Sequence, residues 1–272
     1  MFPELFRLGP IVLRSYGFMM ALGFAVGGWW LVRRGMKKGF SAHRMLDLLI
    51  AIVISGLVGS RILYVLTHLS AFSAGGWWHA FWPLQADGTI GMQGFVFYGG
   101  LLTGLPVAAW LTRRWKMAPL GVLDAAAPPL ALGTALGRMG CFLNGCCFGT
   151  PTESPLGTVF PDQCLAGTAF PGIPIHPTQL YIVVDSLLIM AVLMWLERKR
   201  RMFDGAIIGT YLILIGLLRS VEDVFRYYES GMRAFSLFGV VVSVNNLISL
   251  GCIAGGILIL RQSRSHVPDP QD

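Results

Sequence analysis

Charged residues are scarce in this chain. Only 13% of its 272 residues are charged, against about 25% in an average soluble domain, while 54% are hydrophobic and the mean hydropathy is +0.64. This balance excludes a disordered chain, a coiled coil and an ordinary cytosolic enzyme. Cysteine is also rare, and the odd number of five, at 141, 146, 147, 164 and 252, does not indicate a disulfide scaffold. No cleavable signal peptide is evident at the start, where Glu4 and two prolines interrupt the pattern.

Apolar residues instead fall into seven long stretches. A bilayer core about 30 Å thick requires about 20 apolar residues per helix, so the stretches predict an all-α polytopic membrane protein of about seven transmembrane helices. We expect a single membrane domain over residues 1–272. The stretches are Tyr16 to Val32, Leu46 to Leu66, Phe95 to Leu111, Leu120 to Leu136, Leu180 to Leu196, Ala206 to Leu218 and Phe238 to Leu260.

The basic residues divide into two populations along this pattern. In a seven-span arrangement 14 of them lie on one side, after the first, third, fifth and seventh stretches, and the positive-inside rule makes that side cytoplasmic. The N-terminus is then outside and the C-terminus cytoplasmic, so the net charge of +7 indicates topology rather than nucleic acid. The other seven basic residues are all arginines on the outer side: Arg7, Arg14, Arg61, Arg138, Arg219, Arg226 and Arg233.

Two longer segments are predicted on the outer side. The segment 68–93 contains Trp77, Trp78 and Trp82, which are typical of an interfacial anchor, with a lipid gate as the functional alternative. The segment 145–178 is rich in Pro, Gly, Thr and Cys and predicts a loop over a site. The tail 263–272 is polar and predicted to be solvent-exposed.

The most informative motif runs from Gly137 to Gly149, at the outer end of the fourth stretch. Its glycines permit close backbone approach, while Arg138 and Asn144 supply a charge and an amide near membrane depth. A guanidinium at that depth is costly unless it is paired or functional. Its planar fork suits a lipid phosphate, whereas the structural alternative is an ion pair at a helix end.

Two further clusters flank the fifth and sixth stretches. His176, Gln179 and Tyr181 come directly before or at the start of the fifth, where the histidine is either a base or a structural group. The sixth ends with Arg219, Glu222, Asp223 and Arg226. Helical spacing of four predicts the pairs Arg219 with Asp223 and Glu222 with Arg226, with the arginines available for a phosphate.

Aromatic residues open two other stretches. Tyr98 precedes the pair Gly99 and Gly100 at the start of the third stretch, and Tyr16 opens the first. An interfacial tyrosine is ordinarily an anchor, and that interpretation stands beside a role in the site.

These clusters resemble the phosphatidylglycerol:prolipoprotein diacylglyceryl transferase family in their order along the chain and in their predicted location on the outer side of the membrane. The resemblance extends from about Tyr16 to Arg226. The resemblance implies transfer of a diacylglyceryl group from phosphatidylglycerol to the lipobox cysteine thiol in the signal peptide of a preprolipoprotein. It also implies that the protein lies in the bacterial cytoplasmic membrane, in contact with membrane lipids, and that its site faces the outer side. The resemblance implies no metal or organic cofactor.

The resemblance assigns roles to particular residues. As catalytic groups it implies Arg138 and Arg219, which would hold the phosphate, with Tyr98, His176 and Asp223 handling protons or orientation. As substrate-binding groups it implies Arg138 again and the set Asn144, Tyr16, Gly99, Gly100, Arg226, Gln179 and Tyr181.

The chain differs from the family pattern at positions expected to take part in proton transfer. The family usually has His where Tyr98 stands, Asn at Cys141 and Glu at Cys146. Two other functions therefore remain open: a non-catalytic phospholipid-binding or lipid-moving protein, and a membrane thiol redox protein. A disulfide of Cys164 with Cys141, Cys146 or Cys147 would either staple the loop or serve such a redox function. A zinc site from these cysteines and His176 matches no standard ligand spacing.

Overall fold

The fold is helical, with two short β-hairpins. The computed structural model describes residues 2–8, 11–69, 94–199, 203–227, 233–237 and 240–264. In chain order the elements are β1 (Glu4–Leu8), β2 (Ile11–Arg14), α1 (Ser15–Lys37), α2 (Ala42–Thr67), α3 (Phe97–Arg114), α4 (Pro119–Asn144), α5 (Leu165–Ala169), α6 (Thr178–Lys199), α7 (Ala206–Phe225), β3 (Arg233–Leu237), β4 (Val240–Ser243) and α8 (Val244–Arg264). Strand β1 pairs with β2, and β3 pairs antiparallel with β4.

Each of the seven apolar stretches contributes a long helix. Five helices are long and apolar enough to cross a membrane, namely Ser15–Lys37, Ala42–Thr67, Pro119–Asn144, Thr178–Arg198 and Val244–Gln262. The protein is therefore a multi-pass membrane protein. Helix α3 has 18 residues and ends in Arg113 and Arg114, and α7 carries charged residues near its end, so neither belongs to the five. The seventh stretch was expected from Phe238, but α8 begins at Val244 because residues 240–243 pair with β3.

The chain divides into two compact units. Unit A comprises residues 1–3, 14–31 and 120–272, and unit B comprises residues 4–13 and 32–119. In unit B, α2 packs against α3 through small residues. A Cβ on Gly99 would collide with the Gly59 carbonyl, and a Cβ on Gly100 would lie 2.7 Å from the Ser60 Oγ. Gly99 and Gly100 thus have a helix-packing role of the kind common between membrane helices, and their predicted contact with substrate stays a prediction.

The core of unit A lies among α4, α6 and α7. Its buried members are Ala127, Ala131, Ile189, Leu193, Ile207, Ile208 and Tyr211. Helix α8 packs on α7 through glycines, since Gly256 leaves no room for a Cβ beside the Gly209 carbonyl. Helix α7, which carries Arg219 near its end, thus packs against α4, α6 and α8.

A buried carboxylate fixes the beginning of α7. Asp124 of α4 is 1% exposed, and its two oxygens accept hydrogen bonds from the Gly205 and Ile208 backbone N–H groups, each at 2.9 Å. The first N–H groups of a helix have no partner within the helix, so a carboxylate here satisfies two of them and complements the helix dipole. Asp124 lies near the start of α4, far along the helix from Arg138.

Replacing Asp124 by alanine is expected to destabilise the protein by about 1 to 3 kcal/mol, because buried N–H donors lose their acceptor. Asp124→Asn keeps one accepting oxygen and should cost less. The measurement is thermal unfolding in detergent, with Asp162→Ala, at an exposed loop position, as the control. Equal melting temperatures for Asp124→Ala and this control would contradict the capping role.

The segment 145–178 is ordered around a small core of its own. Phe160, Cys164, Ala166 and Ile175 are buried there, and Phe142, Phe148 and Phe170 pack around them. The predicted anchors Trp77, Trp78 and Trp82 lie outside the described residues, as do residues 265–272 of the polar tail.

Candidate active site

The motif that follows Arg138 closes on itself at the end of α4. Gly145 adopts a positive φ of 69°, and the backbone N–H groups of Gly145 and Cys146 donate to the carbonyls of Phe142 and Cys141, both at 3.1 Å. This pair of hydrogen bonds defines a Schellman C-cap, in which the chain turns back over the last helical turn. The turn brings Cys146 back beside Cys141, five residues earlier.

Two fully buried side chains at the start of α6 hold the next residues. The Gln179 Nε2 donates to the Cys146 carbonyl at 2.8 Å, and the Thr178 hydroxyl donates to the Cys147 carbonyl at 3.0 Å. Gln179 was predicted to bind substrate, but its amide N–H supports the loop. Its buried Oε1 has no hydrogen-bond partner within the described part of the chain.

Backbone hydrogen bonds join three of the predicted clusters. Gly149 donates its N–H to the His176 carbonyl at 3.0 Å, and Thr150 donates to the Phe225 carbonyl at 2.9 Å. A Cβ on Gly149 would lie 2.6 Å from the Phe225 carbonyl oxygen, so only glycine allows this approach. The motif after Arg138, the His176 segment and the end of α7 therefore meet at one place.

Three arginines gather around this junction. Arg138 and Arg226 both act electrostatically on Arg219 and on Cys147. Arg138 is half-buried, and within the described residues it has no ion pair or side-chain hydrogen bond. Its guanidinium donors are therefore free to bind an anionic group. Positively charged guanidinium groups that lie close together in a partly buried environment form a suitable site for a phosphate.

The predicted pairing of Arg219 with Asp223 is wrong. Arg219 Nη1 donates to Glu222 Oε2 at 3.0 Å, with the side chains 23% and 6% exposed respectively. Asp223 instead accepts a hydrogen bond from the Ser243 hydroxyl at 2.7 Å, just before α8. Spacings of three and four both allow a helical ion pair, and the structure has the pair at a spacing of three. Asp185 of α6, which was not predicted, interacts with the Glu222 carboxyl.

His176 is held by aromatic neighbours. Its Nδ1 lies 3.0 Å from the Tyr181 hydroxyl, and its ring packs edge-on against Phe225 with centroids 5.1 Å apart. The hydrogen bond fixes the orientation of the imidazole. A fixed orientation is compatible both with His176 as a base and with a purely structural role.

Tyr16 and Asn144 lie in the same part of unit A. Tyr16 is 41% exposed at the start of α1, where it packs against Gly140, and its hydroxyl is in electrostatic range of Arg138. The Asn144 side chain lies close to the Cys146 thiol. Tyr98 belongs to unit B, where it begins α3, is 40% exposed and contacts Phe97 edge-on.

All five cysteines are free thiols, so the alternative in which Cys164 pairs with Cys141, Cys146 or Cys147 is not formed. The Cys164 thiol donates to the Pro161 carbonyl at 3.1 Å within the small loop core. The Sγ atoms of Cys141, Cys146 and Cys147 all lie within 4.8 Å of one another. Hydrogen bonds with Cys141 and Cys146, followed by the charges of Arg138 and Arg226, lower the pKa of the Cys147 thiol.

Together, the helices and the three arginines define a multi-pass membrane protein with a half-buried site suited to an anionic group. Residues 3–261 match the family model described as prolipoprotein diacylglyceryl transferase, and the chain belongs to that family.

Similar proteins cover nearly the same length. The chain is 29% identical to a phosphatidylglycerol–prolipoprotein diacylglyceryl transferase of Clostridium tetani over 262 residues, which are 96% of this chain and 98% of that protein. It is 32% identical to the protein of that name from Nitrosospira multiformis (95% and 85% covered) and 31% identical to that from Vibrio vulnificus (98% and 94%).

Proposed function

We propose that this protein transfers the diacylglyceryl group of phosphatidylglycerol to the lipobox cysteine thiol of a preprolipoprotein. In this reaction the thiolate sulfur bonds to the glyceryl carbon, and the bond from that carbon to the phosphate oxygen breaks. The products are a thioether on the acceptor protein and glycerol phosphate. Family membership supports the reaction, and the half-buried Arg138 beside Arg219 and Arg226 is the observation that carries it to this chain.

The arginines act on the phosphate. As the carbon–oxygen bond breaks, negative charge accumulates on the departing phosphate oxygens. Guanidinium groups already fixed near that position stabilise the transition state more than the ground state. Arg138 has no protein anion as a partner in the described residues, so it is assigned the direct contact. Arg219 is oriented by Glu222 and adds a second positive charge.

The acceptor thiol must lose its proton, because the thiolate is the nucleophile and a free cysteine has a pKa of about 8.5. His176 is the imidazole of this junction, and its hydrogen bond with Tyr181 engages Nδ1. In the tautomer whose Nδ1–H donates to the Tyr181 hydroxyl, Nε2 is the nitrogen that can take up a proton. Asp223 is less suited than predicted, since it already accepts from Ser243.

We also propose seven spans with the N-terminus outside, and a site at the outer face of the bacterial cytoplasmic membrane. Helices α3 and α7 have 18 and 20 residues, which at 1.5 Å per residue give about 27 and 30 Å, close to the bilayer core. Cysteine labelling from either side of the membrane, at positions introduced between the helices of a chain without native cysteines, tests this arrangement.

The test of the function uses the purified protein in vesicles that contain phosphatidylglycerol with a labelled diacylglyceryl group. A lipobox peptide should acquire the label through a bond that resists hydroxylamine, as a thioether does. The same peptide with serine in place of cysteine is the control and should stay unlabelled. Binding of phosphatidylglycerol without any transfer would instead identify a lipid-binding protein, and cysteine oxidation coupled to a partner thiol would identify a redox protein.

A further inference from the structure

Three thiols lie together beside the arginine site without a role in the proposed reaction. Cys141 belongs to the last turn of α4, and Cys146 and Cys147 follow Gly145. Their Sγ atoms are all within 4.8 Å of one another, and they are the one such group of His, Cys, Asp and Glu ligands among the described residues.

The backbone that gathers these thiols is held firmly. The Schellman turn at Gly145 fixes Cys146 over Cys141, and Cys147 adopts a positive φ of 60°, which is unfavourable for a residue with a side chain. Buried Gln179 and Thr178 hold both carbonyls from α6. The unfavourable backbone conformation of Cys147 persists because α6 supports it. The three thiols are therefore held in a defined arrangement.

All three thiols are close enough together to meet a thiophilic metal ion, whereas a disulfide between Cys146 and Cys147 is unfavourable. Adjacent cysteines are poorly placed to bond to each other, because their α-carbons are about 3.8 Å apart, below the usual disulfide range. Three thiolates around a tetrahedral Zn²⁺ at about 2.3 Å would have sulfurs about 3.8 Å apart, so the observed cluster needs to contract by roughly 1 Å. That change is within reach of side-chain rotation.

The electrostatic surroundings favour the same occupant. Zn²⁺ with three thiolates carries one net negative charge, and Arg138 and Arg226 supply positive charge at Cys147. Three protein ligands also leave the fourth tetrahedral position open, which is the pattern of catalytic rather than structural zinc sites.

We propose that Cys141, Cys146 and Cys147 bind a Zn²⁺ ion whose open fourth position takes the acceptor thiol. This inference rests on the proposed transfer reaction and concerns how its nucleophile is prepared. A thiol that coordinates zinc releases its proton, which passes to His176 or to water. The zinc-bound sulfur then attacks the glyceryl carbon, the electron pair of the carbon–oxygen bond leaves with glycerol phosphate, and the neutral thioether dissociates from the metal.

Metal analysis of the purified, reduced protein is the first test. About one zinc per chain is expected in the native sequence and in Cys252→Ser, a control in α8 away from the group. Cys141→Ser, Cys146→Ser and Cys147→Ser should each lose most of it while eluting as the same species in gel filtration. Zinc retained by all three variants, or no binding by the reduced native protein loaded with Zn²⁺, would overturn the site.

Cobalt replacement tests the open position. Co²⁺ held by the three thiolates should give sulfur-to-cobalt absorption, and a lipobox peptide should change its visible bands, whereas the serine peptide should not. Unchanged bands with the cysteine peptide would refute the role in nucleophile activation.

The transfer assay separates this inference from the proposed function. Zinc removal is expected to slow transfer by about 100-fold or more, the scale of a lost proton-removal step, and added Zn²⁺ should restore it. Full transfer by zinc-free protein would leave the proposed function standing and reject the metal. Zinc bound by the three cysteines without transfer by any preparation would reject the function instead.

Discussion

Arg138→Ala is expected to reduce the rate of diacylglyceryl transfer by about 100- to 1,000-fold, the cost of removing one group that stabilises developing anionic charge. Arg138 is half-buried near the end of α4 and, among the described residues, has neither an ion pair nor a side-chain hydrogen bond. Its removal therefore breaks no observed contact within the protein, and the loss should fall on kcat/KM rather than on thermal stability.

Arg138→Lys distinguishes charge from shape. Lysine keeps the positive charge but not the planar fork that binds two phosphate oxygens, so its activity should lie between those of the native protein and the alanine variant. The control is Arg7→Ala, because Arg7 pairs with Glu4 on an exposed hairpin and should leave transfer unchanged. Transfer by Arg138→Ala within a few-fold of the native rate, at equal stability, would remove Arg138 from the phosphate site.

The sequence was sufficient to predict the helices, since the apolar stretches are long and bounded by charged segments. All seven stretches gave long helices, and the start of α8 was misplaced only because the apolar residues Val240, Val241 and Val242 form a strand. Hydropathy does not distinguish a strand from a helix over so few residues. The fourth stretch was expected to end at Leu136, whereas α4 continues to Asn144 and ends at the C-cap glycine Gly145.

The hydrogen-bond and ion-pair partners within the site could not be predicted, because they depend on residues far apart in the chain. Both Glu222 and Asp223 are within helical reach of Arg219, and the outcome involves Ser243, about 20 positions further along. Likewise, the sequence does not show that the Gln179 amide donates to the Cys146 carbonyl, and its predicted contact with substrate stays a prediction. The approach of Cys146 to Cys141 had one local signal, Gly145 between them, which the sequence interpretation used only as one of several glycines that permit close backbone approach.

The ion pair between Arg219 and Glu222 allows the structural and chemical roles of Arg219 to be separated. Arg219→Ala leaves the buried Glu222 carboxylate without its cation and next to Asp185. Breaking one side of a buried pair typically costs about 3 to 5 kcal/mol. We therefore expect a large drop in the melting temperature together with loss of transfer, and this variant alone does not show which of the two causes the other.

The double variant Arg219→Ala with Glu222→Gln removes the stranded charge, so it should recover most of the lost stability, because replacing both members of a buried pair is far less costly than removing one. If Arg219 holds the phosphate, transfer should remain about 100-fold or more below the native rate, since a charge that stabilises the transition state is still missing. Thermal unfolding and transfer kinetics are measured on the native protein, both single variants and the double variant.

Glu222→Gln alone keeps the guanidinium and an accepting oxygen, and should lose less activity than either Arg219 variant. Recovery of transfer in step with stability in the double variant would make Arg219 a structural residue and leave the phosphate to Arg138 and Arg226.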